Sequence, residues 1–258
     1  MSPAQEFSGK VVVVTGSARG IGRTTAEMFS DRGAAVVFSD IQDELGMDVA
    51  QSLKDRGRNA MYVSCNTAEE SSVAQLMDRA TTACGRLDVL VNNAGVEGQI
   101  APTLEYTSEN FDRLVSVNLR GVWLCIKYAV KKMIEAKNGG AIVNLASLAG
   151  HVGFAGLGPY VMSKHGVVGL TKAVAIEYSN IGIRTNAVSP GCIQTQMIDN
   201  LADALGADSA DEALAHLHPL GRLGTQEEVA ESILWLASDR ASNVTGTSLS
   251  VDGGFISQ

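Results

Sequence analysis

A chain of 258 residues with 45% hydrophobic side chains, 27 glycines and only 5 prolines has the composition of one globular domain near the upper size limit of a single core. Its formal net charge of -8 excludes a protein that displaces counterions from nucleic-acid phosphates, and an acidic membrane surface would repel it. The opening MSPAQEFSGK holds no apolar run, and Cys65, Cys84, Cys125 and Cys192 include no Cys-x-x-Cys pair, so a soluble cytoplasmic protein with reduced thiols is expected. His216 and His218 diverge at i, i+2 spacing without further ligands nearby, and no metal site is expected.

In chain order, β-branched runs predict strands over residues 10–15, 35–39, 60–64, 87–91 and 141–146. Helical spacing lies between them at 22–32, 43–56, 69–84 and 110–135, the last broken or kinked near 118–121 by weak helix formers. Gly158-Pro159 predicts a helix start, with the helix running over 160–180; then come a strand at 184–188, a polar, Ala-rich segment at 190–222, a helix at 226–238 and a strand at 248–251. The runs VVVV and VLV are apolar on both faces, as strands covered by helices on both sides must be. The expected fold is α/β: one doubly wound parallel sheet spanning 1–258, Rossmann-like, with ligands at the carboxyl ends of its strands. Thr15-Gly16, Asp40, Asn66, Asn92 to Gly95, Ser147 and Ser189 to Gly191 all fall at such ends.

Between the first strand and helix, Gly16-Ser17-Ala18-Arg19-Gly20-Ile21-Gly22 permits a tight turn and lets backbone N–H groups approach a pyrophosphate at the helix N-terminus. Asp40 ends the second strand 20 residues beyond Gly20, where a carboxylate accepts ribose hydroxyls and repels a 2'-phosphate, favouring NAD over NADP. Arg19 is the opposing signal, since a basic residue there can reach a phosphate. Later in the chain, Tyr160 and Lys164 stand one helical turn apart on one face, near Ser147 at a strand end. A phenol titrates near ~10, and a neighbouring ammonium favours the phenolate, which equips Tyr160 for proton transfer.

Thr15-Gly-x3-Gly-Ile-Gly22, Asn92-Asn-Ala-Gly95, Asn118, Ser147, Tyr160-x3-Lys164 and Pro190-Gly191 occur in the order and spacing of the short-chain dehydrogenase/reductase family, and the chain resembles its short soluble branch from Gly9 to Gly254. The resemblance implies catalytic roles for Asn118, Ser147, Tyr160 and Lys164: Tyr160 exchanges the proton, Lys164 lowers its pKa and holds the nicotinamide ribose, Ser147 orients the substrate oxygen, and Asn118 anchors a water leading to Lys164. It implies NAD(H) contacts from the glycine loop, Asp40, Ile41, Asn66, Asn92, Ala94, Gly95, Tyr160, Lys164, Pro190, Gly191, Ile193 and Thr195. Asn66 departs from the usual Asp of the family but still carries an acceptor carbonyl.

The family also assembles as homotetramers, and Gly166, Gly169, Ala173 and Ala175 on one helix suit close packing against a second copy. A substrate lid is expected over about 191–221, which contains no Lys or Arg. There Met197, Ile198, Leu201, Leu205, Leu214 and Leu217 face the site, and Asp199, Asp203, Asp208, Asp211 and Glu212 face water. Leu148, His151, Phe154, Cys192 and Met197 are the expected pocket walls, suited to a neutral secondary alcohol or ketone. Two other readings stand beside this one: a 3-oxoacyl-carrier-protein reductase using NADPH, disfavoured by Asp40 and by Ile176 where a basic residue would serve an acidic carrier, and a non-catalytic dinucleotide sensor, which would not need Tyr160, Lys164 or Ser147.

Overall fold

A computed structural model describes residues 5–204, 206 and 209–258; the lid positions Leu205 and Asp208 lie outside the described residues, as do the side chains of Leu201 and Asp203. The strands β1 (Val11–Thr15), β2 (Ala35–Asp40), β3 (Ala60–Ser64), β4 (Val89–Asn92), β5 (Gly140–Leu145), β6 (Ile183–Pro190) and β7 (Ser248–Val251) form one 7-stranded sheet in the order β3-β2-β1-β4-β5-β6-β7. Every pairing is parallel. The expected doubly wound sheet is therefore present. Strand β6 is longer than its sequence pattern because both of its edges are paired, one to β5 and the other to β7.

The helices are α1 (Gly20–Asp31), α2 (Asp43–Asp55), α3 (Glu70–Cys84), α4 (Ser108–Val115), α5 (Val122–Ala136), α6 (Gly158–Tyr178), α7 (Gln196–Ala204), α8 (Ala210–Leu214) and α9 (Gln226–Ala237). They cover both sheet faces, as the all-apolar strands require. Val13 packs with Leu76, Met77 and Leu124 of α3 and α5 and with Val167 of α6. Its neighbours Val12 and Val14 pack on the opposite face with Phe29 of α1 and Ile233 and Leu234 of α9. Each such fully buried side chain contributes about 1.5–3 kcal/mol relative to exposure. No described helix is long and apolar enough to cross a membrane.

The segment expected as one kinked helix is α4 and α5 joined by a π-turn, Ser116–Gly121. Asn118 lies buried inside that turn, which matches the tendency of π-turns to mark functional positions. Helix α6 begins with Pro in its first turn, as expected. The segment after β6 contains α7, α8 and a 3-10 turn, Ala215–Leu217, in keeping with the small helical lid expected there.

Strand order reverses between β1 and β4, and the loops leaving these two strands are locked together. The Asn93 amide donates to the carbonyls of Thr15 (3.0 Å) and Gly16 (2.7 Å), while the Thr15 hydroxyl accepts from the backbone of Asn93 and Ala94, both at 3.2 Å. Gly22 makes room for this clamp: a Cβ there would lie 2.2 Å from the Gly16 oxygen and 2.3 Å from the Asn93 amide nitrogen. Gly22→Ala is accordingly expected to destabilise the fold by about 1–3 kcal/mol through overpacking. Urea unfolding checks this, and an unchanged midpoint would contradict the clamp.

Candidate active site

The residues expected to react, Ser147, Tyr160 and Lys164, converge at the carboxyl end of the sheet. Ser147 follows β5 in extended conformation, and its hydroxyl accepts from the Ala149 N–H at 3.2 Å, which caps a 3-10 turn. Tyr160 and Lys164 occupy the first turns of α6. The buried Lys164 ammonium donates to the Leu145 carbonyl at 2.8 Å and stands 5.6 Å from the centroid of the Tyr160 ring. Gly95 passes close by: a Cβ on it would lie 3.9 Å from Lys164 Nζ and 3.4 Å from Asn118 Oδ1.

The electrostatics differ from the sequence expectation. Burial pushes the Tyr160 phenol up to about 12; the nearby Ser147 hydroxyl opposes this, and Glu97 and Cys192 add smaller upward pushes. Burial also lowers Lys164 to about 8. Desolvation of both charged forms therefore outweighs the ammonium–phenolate attraction, because Lys164 spends its short hydrogen bond on a backbone carbonyl. Tyr160 as a residue is half-buried, but its phenol lies on the desolvated side.

The Asn118 amide accepts from the Val96 N–H and donates to the Val96 carbonyl, both at 2.8 Å, so the side chain holds the loop after β4.

On the cofactor side, Gly16 and Gly20 have φ of 64° and 60°, a conformation that favours glycine. Helix α1 has no side-chain cap and no acidic residue in its first turn, so its leading N–H groups and positive end remain available to an anion. Above Gly20, the position a Cβ would take is open for 4 Å. The Asp40 carboxylate is buried and fixed by three amides, from Ala18 (3.0 Å), Ile41 (2.8 Å) and Gln42 (3.1 Å). Ile41, beside it, is 69% exposed. Arg19 is exposed and forms no ion pair among the described residues.

Several residues expected at the cofactor also hold structural contacts. The Ser17 hydroxyl is buried against the backbone of Ser39, and the Asn92 amide donates to Asn144 at 2.8 Å beneath the sheet end. Asn66 already uses both ends of its amide, accepting from Ala68 N–H at 3.1 Å and donating to Glu69 at 3.0 Å. Ala94 abuts Gly16, where an added Cβ would meet the Ala94 Cα at 2.7 Å. Pro190 ends β6, and the Gly191 N–H donates to the Val251 carbonyl at 3.0 Å. Ile193 is buried and bridges to Gly224, and the Thr195 hydroxyl donates back to the Ile193 carbonyl at 3.1 Å.

The pocket walls divide. Leu148 is buried and Phe154 half-buried, its ring centroid 5.9 Å from that of Phe255. Cys192 is half-buried, with its thiol pushed up to about 11 by burial, which suits a wall and not a nucleophile. Met197 is 37% exposed at the start of α7. His151 is no wall of this site: its Nε2 pairs with the hydroxyls of Ser189 (3.0 Å) and Ser248 (3.2 Å), turned toward a separate cleft of about 560 Å³ shared with His165 and Lys172. Another cleft, of about 470 Å³, is lined by Cys192, Ile193, Leu220 and Val251. Neither cleft is lined by Ser147, Tyr160 or Lys164.

Three residues of consequence had no role assigned from sequence. Asn93 belongs to the same Asn-Asn-Ala-Gly motif and is the clamp described above. His218 is buried under the lid; its Nε2 accepts from the Cys192 N–H at 3.1 Å, so the ring proton sits on Nδ1 and is donated to the Leu214 carbonyl at 3.0 Å. That imidazole ties α8 to the end of β6 and is not available as a metal ligand beside His216. Glu97 lies two residues past Gly95 and acts on the Tyr160 phenol; no spacing rule marks it.

A family model described as enoyl-(acyl carrier protein) reductase, of the short-chain alcohol dehydrogenase type, matches residues 16–256. The cis-4-hydroxycyclohexanecarboxylate dehydrogenase of Sinomonas cyclohexanicum is 44% identical over 97% of this chain and 98% of that enzyme. The cyclohexanol dehydrogenase of Acinetobacter sp. (strain SE19) is 40% identical over 99% of this chain and 98% of that enzyme. Among solved structures, levodione reductase superposes with a TM-score of 0.92 at 35% identity, covering 96% of this chain and 98% of its own. With the Ser147, Tyr160 and Lys164 constellation at the strand ends of a doubly wound sheet, these likenesses establish that the chain is an oxidoreductase belonging to the short-chain dehydrogenase/reductase family.

Proposed function

We propose that the protein is an NAD-dependent dehydrogenase of neutral cyclic secondary alcohols, working reversibly with the matching ketones, as a cytoplasmic homotetramer. The observation that carries the reading is the convergence of Ser147, Tyr160 and Lys164 beside a glycine cradle closed by a fixed carboxylate, Asp40. The open Gly20 face and the uncapped start of α1 fit a pyrophosphate. The immobilised Asp40 oxygens fit ribose hydroxyls and oppose a 2'-phosphate, since three amides prevent the carboxylate from swinging away. Gly16, Gly20, Asp40 and Lys164 are the residues that hold the dinucleotide. When bound, it accepts or donates the hydride.

Tyr160 takes the proton of the substrate hydroxyl in oxidation and returns it in reduction. Ser147, within reach of the phenol, orients the substrate oxygen. Below about pH 8 Lys164 keeps a positive charge next to the ring, and its bond to the Leu145 carbonyl fixes where that charge sits. The desolvated surroundings strengthen these interactions once water is excluded. Ring-shaped alcohols are supported by two relatives named for cyclohexane substrates, and neutrality by an expected lid segment without Lys or Arg to clamp an anion. The carrier-protein reading, favoured only by the description of the family model, is opposed by Asp40 and by an Ile176 side chain that is 81% exposed. Tetramer formation is supported by large apolar side chains left exposed on α5 and α6, among them Trp123, Ile134 and Met162.

Asp40→Ala is expected to lower the ratio of kcat/KM with NAD to that with NADP by about tenfold or more, on the order of 1.4 kcal/mol; a wild type that already prefers NADP contradicts the assignment. Because burial holds Tyr160 protonated up to about 12, its proton-accepting form grows with alkalinity, and kcat/KM for alcohol oxidation is expected to climb as pH rises above neutral. In Tyr160→Phe that oxidation falls by roughly three orders of magnitude or more while NADH binding, read by fluorescence, persists. Retained turnover in the variant would mean that another group carries the proton.

A further inference from the structure

The half-buried carboxylate of Glu97 has no hydrogen-bond or ion-pair partner among the described residues, although its charge reaches the Tyr160 phenol. Its position is built. On one side the backbone of Val96 is pinned at both N–H and carbonyl by Asn118. On the other, Gly98 has φ of 81° and packs so closely that a Cβ would meet Leu114 and the Tyr106 hydroxyl at 2.5 Å. The Gln99 N–H donates to that same Tyr106 hydroxyl at 3.1 Å, and the Ala101 N–H to the Gly156 carbonyl at 3.0 Å, just before α6. The loop from Gly95 beside Lys164 to Ala101 beside Gly156 therefore runs along the reacting groups with its backbone held. A half-buried carboxylate that pairs with no described residue is left to accept a hydrogen bond from a ligand that enters beside it.

We infer that Glu97 is the specificity-determining group of the substrate site, accepting a hydrogen bond from a second hydroxyl of a cyclic diol or hydroxyketone and excluding ring carboxylates by like-charge repulsion. The inference rests on the cyclic-alcohol reading above and narrows it. It also predicts that a ring carboxylate, such as the one for which a 44% identical relative is named, is a poor substrate here. A carboxylate acceptor forms a charge-assisted bond with a hydroxyl, stronger than a neutral pair, whereas cyclohexanol offers it nothing. Burial holds the Glu97 carboxyl above its ordinary range, so the interaction is strongest at the alkaline pH that favours oxidation.

The test compares the wild type with Glu97→Gln and Glu97→Asp on cyclohexanol, the three positional cyclohexanediols and cis-4-hydroxycyclohexanecarboxylate, with NAD as oxidant. The wild type is expected to prefer its best diol over cyclohexanol by about tenfold in kcat/KM, mostly through KM. Glu97→Gln is expected to reduce that preference to about threefold or less and to raise the carboxylate relative to cyclohexanol by about tenfold. Glu97→Asp, which keeps the charge, is expected to keep the carboxylate excluded.

A second readout separates charge from shape. The groups acting on the Tyr160 phenol are Ser147, Glu97 and Cys192, with Lys164 beside the ring. Removing the negative charge of Glu97 is therefore expected to move the rising limb of the pH profile for cyclohexanol toward lower pH. Unchanged diol and carboxylate ratios in a Gln variant that still oxidises cyclohexanol would overturn the inference. A wild type that oxidises none of these alcohols would overturn the cyclic-alcohol reading and this inference with it.

Discussion

The site depends first on the clamp between the loops after β1 and β4. Two carbonyls of the glycine turn accept from one Asn93 amide, in space that only Gly22 leaves open. The clamp sits where strand order reverses, which is where a doubly wound sheet leaves its crevice. Because Asn93 leads directly into Ala94, Gly95 and Glu97, the constraint that shapes the cofactor cradle also sets the course of the loop along the substrate side. Asn118, held in its π-turn, fixes the same loop from the opposite direction through Val96.

Within that frame, desolvation decides the protonation states. A nearby ammonium alone would draw Tyr160 below its ordinary value, yet burial pushes the phenol up to about 12 and Lys164 down to about 8. The two groups resist carrying their charges in the same dry place. Each such shift expresses a preference of about 1.4 kcal/mol per pH unit for the neutral form. A positive charge arriving with the oxidised nicotinamide would favour the phenolate and so oppose the push from burial. Glu97 acts in the other direction, and its unpaired carboxylate makes the local field depend on what the substrate brings.

The fold was legible because its signals are long and redundant: apolar runs on both strand faces, a Pro at the start of α6, and weak helix formers over the turn that became π. The convergence of Ser147, Tyr160 and Lys164 was legible from helical spacing and strand-end position. Hydrogen-bond partners were not. Asn66, Asn92, Ser17 and Asn118 carry the side chains that a ligand would use, but each is engaged by a neighbour that only tertiary contact reveals. His151 stands four residues past Ser147 yet turns to Ser189 and Ser248, because the 3-10 turn after β5 rotates the chain away from the site. Glu97 carries no motif at all; it stands out only because no described residue pairs with its carboxylate.

The most direct test of the account is the appearance of NADH absorbance when purified protein is mixed with NAD and a series of neutral cyclic secondary alcohols, run against NADP and against open-chain keto acids with NADH. The account predicts NADH formation from the cyclic alcohols, faster with NAD than with NADP, and weak turnover of the anionic substrates. A protein that binds NAD but oxidises no cyclic alcohol, or that reduces the keto acids about tenfold more efficiently, would contradict it.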